Sequence, residues 1–135
     1  MEKVVVNISK TEKGYCANLD IIEGFIVAVS GSFADLKKEV EKSVEFYIDC
    51  ARKDGEFYPQ VFDMQFEYEY KFDIESLLYF YDGIISGVTL SKLTGINEKQ
   101  LSRYRVGASK PRKEQAIKIV NAFHRIGNDL LSVSL

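Results

Sequence analysis

Met64-Gln65-Phe66-Glu67-Tyr68-Glu69-Tyr70-Lys71-Phe72-Asp73-Ile74-Glu75-Ser76-Leu77-Leu78-Tyr79-Phe80-Tyr81 is the stretch in which the periodicity of the chain changes. From 64 to 72, large apolar groups alternate with polar ones. Met64, Phe66, Tyr68, Tyr70 and Phe72 fall on one face of a strand, and Gln65, Glu67, Glu69 and Lys71 on the other. From Asp73 onward the spacing is helical, with Ile74, Leu77, Leu78 and Tyr81 on one stripe. This switch predicts a domain boundary at residue 73, with 1–72 rich in strands and 73–135 helical. The aromatic row predicts burial, in a core or at a subunit interface. A base-stacking platform is the competing use, but the neighbouring glutamates would repel a phosphate backbone.

Working back from the row, residues 3–9 are β-branched and alternate through Val4, Val6 and Ile8. A turn at Thr11-Glu12-Lys13-Gly14 leads into Tyr15-Cys16-Ala17-Asn18-Leu19, so the spacing predicts a hairpin. A third apolar run, Phe25-Ile26-Val27-Ala28-Val29, ends at Ser30-Gly31-Ser32. Ser32 with Asp35 three residues later has the layout of a capping box. Phe33, Leu36, Val40, Val44, Tyr47 and Ala51 then recur at helical spacing up to Asp54-Gly55, where glycine can close the helix.

The chain of 135 residues is 46% hydrophobic and 13% aromatic with two prolines, a composition that folds rather than stays disordered. Its length suits one domain or two small ones and excludes a large cofactor-binding sheet. No run of eighteen apolar residues occurs and Met1-Glu2-Lys3-Val4 does not open like a secretion signal, so a cytoplasmic protein with no membrane association is expected. Cys16 and Cys50 are too few for a disulfide framework and too far apart in sequence to read as a metal pair; they are expected to be free thiols inside the fold. The net charge of −2 hides a division. Residues 1–82 carry nine Lys/Arg against seventeen Asp/Glu, and residues 83–135 carry nine against three. The basic end suits a polyanion. The acidic end keeps the chain soluble or meets a basic partner, and chance segregation of surface charge is the bland alternative.

The basic half holds the segment with functional grammar. Ser86-Gly87-Val88-Thr89-Leu90-Ser91-Lys92-Leu93-Thr94 reads as a short capped helix, Gly95 as a tight turn, and Asn97 as the cap of a second helix, Glu98 to Val106, with Gln100 at the reciprocal position. Leu101 is placed to pack on Leu90, Leu93 and Ile96. That leaves Glu98, Lys99, Gln100, Ser102 and Arg103 to face outward as base-reading candidates, since a major groove is read by polar side chains near the start of a helix. Arg105, Lys110, Arg112 and Lys113 follow as phosphate-binding candidates. An ordinary helical hairpin with a solvated basic face is the competing reading.

The pattern Leu90-Ser91…Gly95-Ile96-Asn97…Leu101-Ser102-Arg103-Tyr104…Gly107…Lys110-Pro111 resembles the Cro/repressor-type helix-turn-helix of bacterial regulators. An apolar final helix through Ile117, Val120, Phe123 and Ile126 continues it, so that the resemblance spans about 73–131. Ser91 replaces a small apolar residue usual in that family, and Arg105 stands where an acid is frequent. The N-terminal part resembles the HicB antitoxin domain in Gly14-Tyr15-Cys16-Ala17, in Glu23-Gly24-Phe25, and in the helix from Ser32 to Gly55 with its following strand. Glu23 and Phe25 replace that family's usual proline and cysteine. The resemblance implies an α+β fold: a truncated ribonuclease-H-like β-β-β-α-β domain over 1–72, followed by an all-α helix-turn-helix domain over 73–135. It also implies a type II antitoxin that neutralises a small basic HicA-like ribonuclease toxin and represses its own operon on double-stranded operator DNA.

Enzyme chemistry finds little support in the residues. A ribonuclease H needs carboxylates converging on paired magnesium ions, whereas the first strand offers Asn7 and Ser9 and the second Asn18, with Asp20 and Glu23 in the turn beyond. His124, the only histidine, lies beside Phe123 and is expected to be half-buried packing rather than a triad member or metal ligand. No glycine-rich phosphate loop occurs. The expectation is therefore a non-enzyme with no catalytic residues, no metal and no cofactor. Two function classes stay open: an antitoxin-type repressor, and a stand-alone transcriptional regulator whose N-terminal domain senses a small molecule. A homodimer or higher even oligomer is expected, because one helix-turn-helix covers a half-site and Leu130-Leu131-Ser132-Val133-Ser134-Leu135 leaves an apolar tail needing cover.

Overall fold

Val4, Val6 and Ile8 alternate with half-buried neighbours along β1 (Glu2–Lys10), and each is 2% exposed or less. β-Branched side chains on one face of an extended chain favour this conformation and demand a cover. The computed structural model, which describes residues 1–135, turns β1 back at Thr11, whose N–H donates to the Gly14 carbonyl at 2.8 Å while the Gly14 N–H donates to Thr11 Oγ1 at 3.1 Å. β2 (Tyr15–Leu19) therefore runs antiparallel to β1, and β3 (Ile26–Val29) antiparallel to β2 with Tyr15 opposite Val29. Helix α1 (Phe33–Asp54) follows, and β4 (Phe66–Phe72) returns beside β1 in parallel, from Glu2 opposite Phe66 to Ile8 opposite Phe72. The sheet is thus mixed, in the order β3-β2-β1-β4.

Why α1 begins and ends where it does is local chemistry. Ser32 Oγ accepts from the Asp35 N–H at 3.2 Å, and Asp35 Oδ2 accepts from the Ser32 N–H at 3.0 Å, satisfying two orphan donors reciprocally. The bond from the Ser32 backbone holds the Asp35 carboxyl below its ordinary value. Gly55 at φ 66° takes the left-handed conformation that closes the helix. Leu36, Val40, Val44, Ile48 and Ala51 form the buried stripe laid on the sheet. Burying each of the larger ones contributes about 1.5–3 kcal/mol, so this stripe and the β1 row dominate the stability of the layer pair. Past the helix, Arg52 donates to Asp63 Oδ1 at 2.7 Å and the Tyr58 hydroxyl donates to Asp63 Oδ2 at 2.9 Å. This ties the end of α1 to a 3-10 turn at Gln60–Asp63, which the sequence reading did not foresee.

The aromatic row differs from its expectation in two ways. The strand begins at Phe66, and Met64 lies before it, 52% exposed. The four rings on β4 are half-buried rather than enclosed, because β4 is an edge strand and α1 covers only one side of the row. Phe33 at the start of α1 meets Tyr70 and Phe72 edge-on at 5.4 and 5.1 Å between centroids, and Phe62 meets Phe66 likewise at 5.3 Å.

The chain divides into two compact units, Met1–Asp73 and Ile74–Leu135. The second contains α2 (Ile74–Phe80), α3 (Gly87–Thr94), α4 (Glu98–Arg105) and α5 (Lys113–Leu131). Leu78, Leu90, Ile96, Leu101, Tyr104, Ile119 and Ala122 are its buried core, flanked by Ile74, Leu77, Ile85, Leu93 and Phe123. The α5 stripe is turned from the one expected: Ile119 is fully enclosed and Ile117 is 49% exposed. Apolar residues at 116, 117, 119, 120, 122, 123 and 126 fit more than one helical stripe, and packing against α3 selects the one through Ile119. His124 is exposed rather than half-buried, since adjacent helical residues point about 100° apart and Phe123 takes the inward direction. Cys16 and Cys50 are free and half-buried. No helix is long and apolar enough to cross a membrane.

Candidate nucleic-acid interface

The α3–α4 segment is built by five short-range bonds. Ser86 Oγ accepts from the Thr89 N–H at 3.1 Å and starts α3. Gly95 at φ 76° ends it, donating to the Ser91 carbonyl at 2.8 Å. Only a residue without Cβ takes that conformation at no steric cost. Thr94, which is buried, donates its hydroxyl to the Leu90 carbonyl at 2.6 Å and accepts from the Ile96 N–H at 3.1 Å, so one side chain closes both strands of the turn. Asn97 Oδ1 then accepts from the Lys99 N–H at 2.7 Å and starts α4. Leu101 and Tyr104 point inward from α4 onto Leu90 and Ile96, which fixes the rotation of this eight-residue helix.

That rotation decides what reaches solvent. Glu98, Lys99, Ser102 and Arg103 are exposed along one face of α4. Gln100 is half-buried, and its Nε2 donates to Ser109 Oγ at 3.3 Å instead of reaching back to the Asn97 backbone as a capping box would. Of the downstream cations, Lys110, Arg112 and Lys113 are exposed around the loop into α5 and its first residue. Arg105 is placed differently. Its guanidinium pairs with Asp82, in the turn after α2, and lies 3.4 Å from Ser102 Oγ. Asp82 is twenty-three positions away, so no local spacing announced this partner. Thr94 was missed too, although a hydroxyl two residues before the buried Ile96 is a recognisable turn signal.

In the first unit, three of the residues weighed for a metal site, Asn7, Asn18 and Asp20, are bonded to one another. Asn7 Nδ2 donates to Asn18 Oδ1 at 3.1 Å and to Asp20 Oδ1 at 2.9 Å. No group of three or more His, Cys, Asp or Glu side chains is placed to hold a metal ion. Between α1 and β4 runs an open groove whose helix side carries Lys37, Lys38, Glu41, Glu45 and Asp49 and whose floor is Phe66, Tyr68 and Tyr70. Burial pushes the Tyr68 and Tyr70 phenols up to about 12, with Glu41 adding to both.

No known family model matches the chain, and neither the curated proteins nor the solved structures contain a match to it.

Proposed function

We propose that the chain is an antitoxin-type repressor. Its second unit would bind double-stranded operator DNA through α3 and α4 used as a helix-turn-helix, and its first, a truncated ribonuclease-H-like domain, would neutralise a small basic HicA-like toxin. The observation that carries the DNA half is the rotation of α4: inward Leu101 and Tyr104 leave Lys99, Ser102 and Arg103 exposed on a capped helix, with Lys110, Arg112 and Lys113 exposed beyond it. In this reading Lys99, Ser102 and Arg103 read base edges and Lys110, Arg112 and Lys113 hold phosphates. Glu98 accepts from an exposed cytosine amino group, Gln100 assists once released from Ser109, and Arg105 braces α4 through Asp82.

The two classes of contact separate in binding assays. Lys99→Ala is expected to weaken operator binding by about 1–3 kcal/mol while leaving binding to random DNA unchanged. Lys110→Ala or Arg112→Ala should weaken both and lower the salt slope by about one unit each. If all three variants bind operator and random DNA as the parent does, the assignment of α4 is wrong.

For the toxin half, the support is the acidic balance of residues 1–73, fifteen acids against nine bases, which suits a basic ribonuclease. Co-expression of the full chain with the product of the adjacent reading frame, followed by purification on a tag carried by either one, is expected to recover both. Their association should slow as salt rises. Recovery of this chain alone would remove the antitoxin reading and favour a regulator whose first unit senses a small molecule.

A further inference from the structure

The groove between α1 and β4 is apolar at its floor and acidic on its helix wall. Its two lobes share Glu41 and Tyr68, so they form one continuous trough along the helix. Phe66 and Tyr68 lie half-buried in the floor, beside Val44 and Ile48 of the α1 stripe. Glu41 and Glu45 stand exposed on the wall, and neither has a cation of the chain within ion-pair distance. Asp49, the next acid along, already faces Arg52 at 4.0 Å. The Tyr68 phenol is pushed up by burial first, then by Tyr70, Glu41 and Glu45, so the two free carboxylates set a negative potential over the floor.

Uncompensated carboxylates above aromatic rings suit a cation on an apolar stem. The stem of a Lys or Arg covers the rings, while its head pairs with a carboxylate and stays within reach of a ring face. Glu41 and Glu45 are four positions apart on one helix face, about 6 Å along its axis. In an extended chain, side chains on one face repeat every ~6.6–6.8 Å. Two cationic residues at alternate positions of an extended segment therefore meet both acids at once. Toward the start of α1 the sign reverses: Lys37 and Lys38 line the trough one turn before Glu41, and the Lys37 ammonium is held 4.8 Å above the Phe33 ring. A third cation would be repelled there, whereas a carboxylate would be paired. A linear polyamine has a similar spacing, but it brings another cation to that end. Because β4 is an edge strand, the trough is open along one side and admits a chain that continues past both ends.

We propose that this trough docks an extended segment of a partner protein. Two Lys or Arg at alternate positions seat on Glu41 and Glu45 over the Phe66 and Tyr68 rings, and an acidic side chain or C-terminal carboxylate two positions further on meets Lys37 and Lys38. This inference goes beyond the DNA and toxin reading, which co-expression tests separately.

Nuclear magnetic resonance of the full-length chain tests it with two peptide pools, Glu-Xaa-Arg-Xaa-Arg and the same pattern in reverse order, where Xaa is an equal mixture of uncharged residues. Saturable shifts are expected at the amides of Glu41, Glu45 and Tyr68 with one of the pools. Their absence at millimolar peptide overturns the proposal, as does an equal response to the charge-reversed pool Arg-Xaa-Glu-Xaa-Glu or its reverse order. Glu41→Gln and Glu45→Gln should each weaken binding about three- to fivefold, the worth of an exposed ion pair. Glu12→Gln makes the same change of charge in the β1–β2 turn, outside the trough, and should weaken binding by less than about 1.5-fold. Equal effects at all three positions would mean that net charge alone attracts the peptide, and the proposal falls. Lys38→Glu should weaken the Glu-bearing pool about threefold and strengthen by a similar factor a pool with Arg in place of that Glu. An all-Arg pool that gains nothing from Lys38→Glu, or spermidine that displaces the peptide at equal concentration, shows that the trough does not select this pattern and overturns the proposal.

Discussion

Ile119→Ala is expected to remove about 2–5 kcal/mol from the stability of the second unit. The side chain is fully enclosed among Leu90, Leu101, Tyr104 and their neighbours, and it is the only large residue that α5 contributes to the centre of that cluster. Its loss costs the transfer free energy of the missing atoms together with the cavity they leave, which helices this short cannot collapse to fill. Hydrogen exchange followed by mass spectrometry reads the two units separately. Protection within α3, α4 and α5 should fall by roughly thirtyfold or more, while β1, β2 and α1 keep theirs. DNA retention should fall on operator and random sequences together, since the scaffold of α4 is lost rather than one contact. Equal loss of protection in the strands would show that the buried cluster is not a separate core.

A comparable loss is expected in the first unit from Gly14→Ala. An added Cβ there would run into the Val29 carbonyl oxygen and stand 2.7 Å from the Ser30 Cα. Both are backbone atoms at the end of β3, so no side chain can swing away to make room, and the hairpin and β3 must separate. Overpacking of this kind costs typically about 1–3 kcal/mol and more where the backbone has to move. The thermal transition of a domain this size should drop by about 4–8 °C per kcal/mol. Gly83→Ala is the control: nothing lies within 4 Å of its added Cβ and its φ is not left-handed, so its effect should stay within about 0.5 kcal/mol. A melt for Gly14→Ala indistinguishable from that control would mean the β1–β2 turn is not pressed against β3.

What could be read from the sequence was whatever short-range spacing controls. The mixture of strands and helices was legible, and so were single elements: α1 from Ser32 to Gly55, where both cap signals lie within three residues of the ends, and the β1–β2 hairpin, whose turn residues bond to each other. Ser86, Gly95 and Asn97 were likewise readable as the punctuation of α3 and α4, because each acts on a neighbour two to four positions away. Features set at long range were not legible. The parallel pairing of β1 with β4 spans the whole of α1, so no local period encodes it. The half-exposure of the aromatic row follows from that pairing, since it makes β4 an edge. At the candidate interface the same division holds. The rotation of α4 could be foreseen from Leu101, whereas the Asp82 partner of Arg105 and the turn of α5 toward Ile119 depend on tertiary packing.

The parallel pairing also sets the order in which the chain can assemble as it is made. Within its unit β1 leaves the ribosome before the other strands and β4 after them, yet the two are neighbours in the sheet. The β1–β2–β3 meander and α1 are complete well before β4 is synthesised. During that interval β1 presents one unpaired edge, and the Val4, Val6 and Ile8 row stays open on the side where β4 will lie. Closure is a non-local step whose loop entropy grows with the intervening helix, so it comes late and decides the rate. Nascent chains arrested before residue 66 should therefore be sensitive to protease and prone to cling to one another, and release of residue 72 should end both behaviours together.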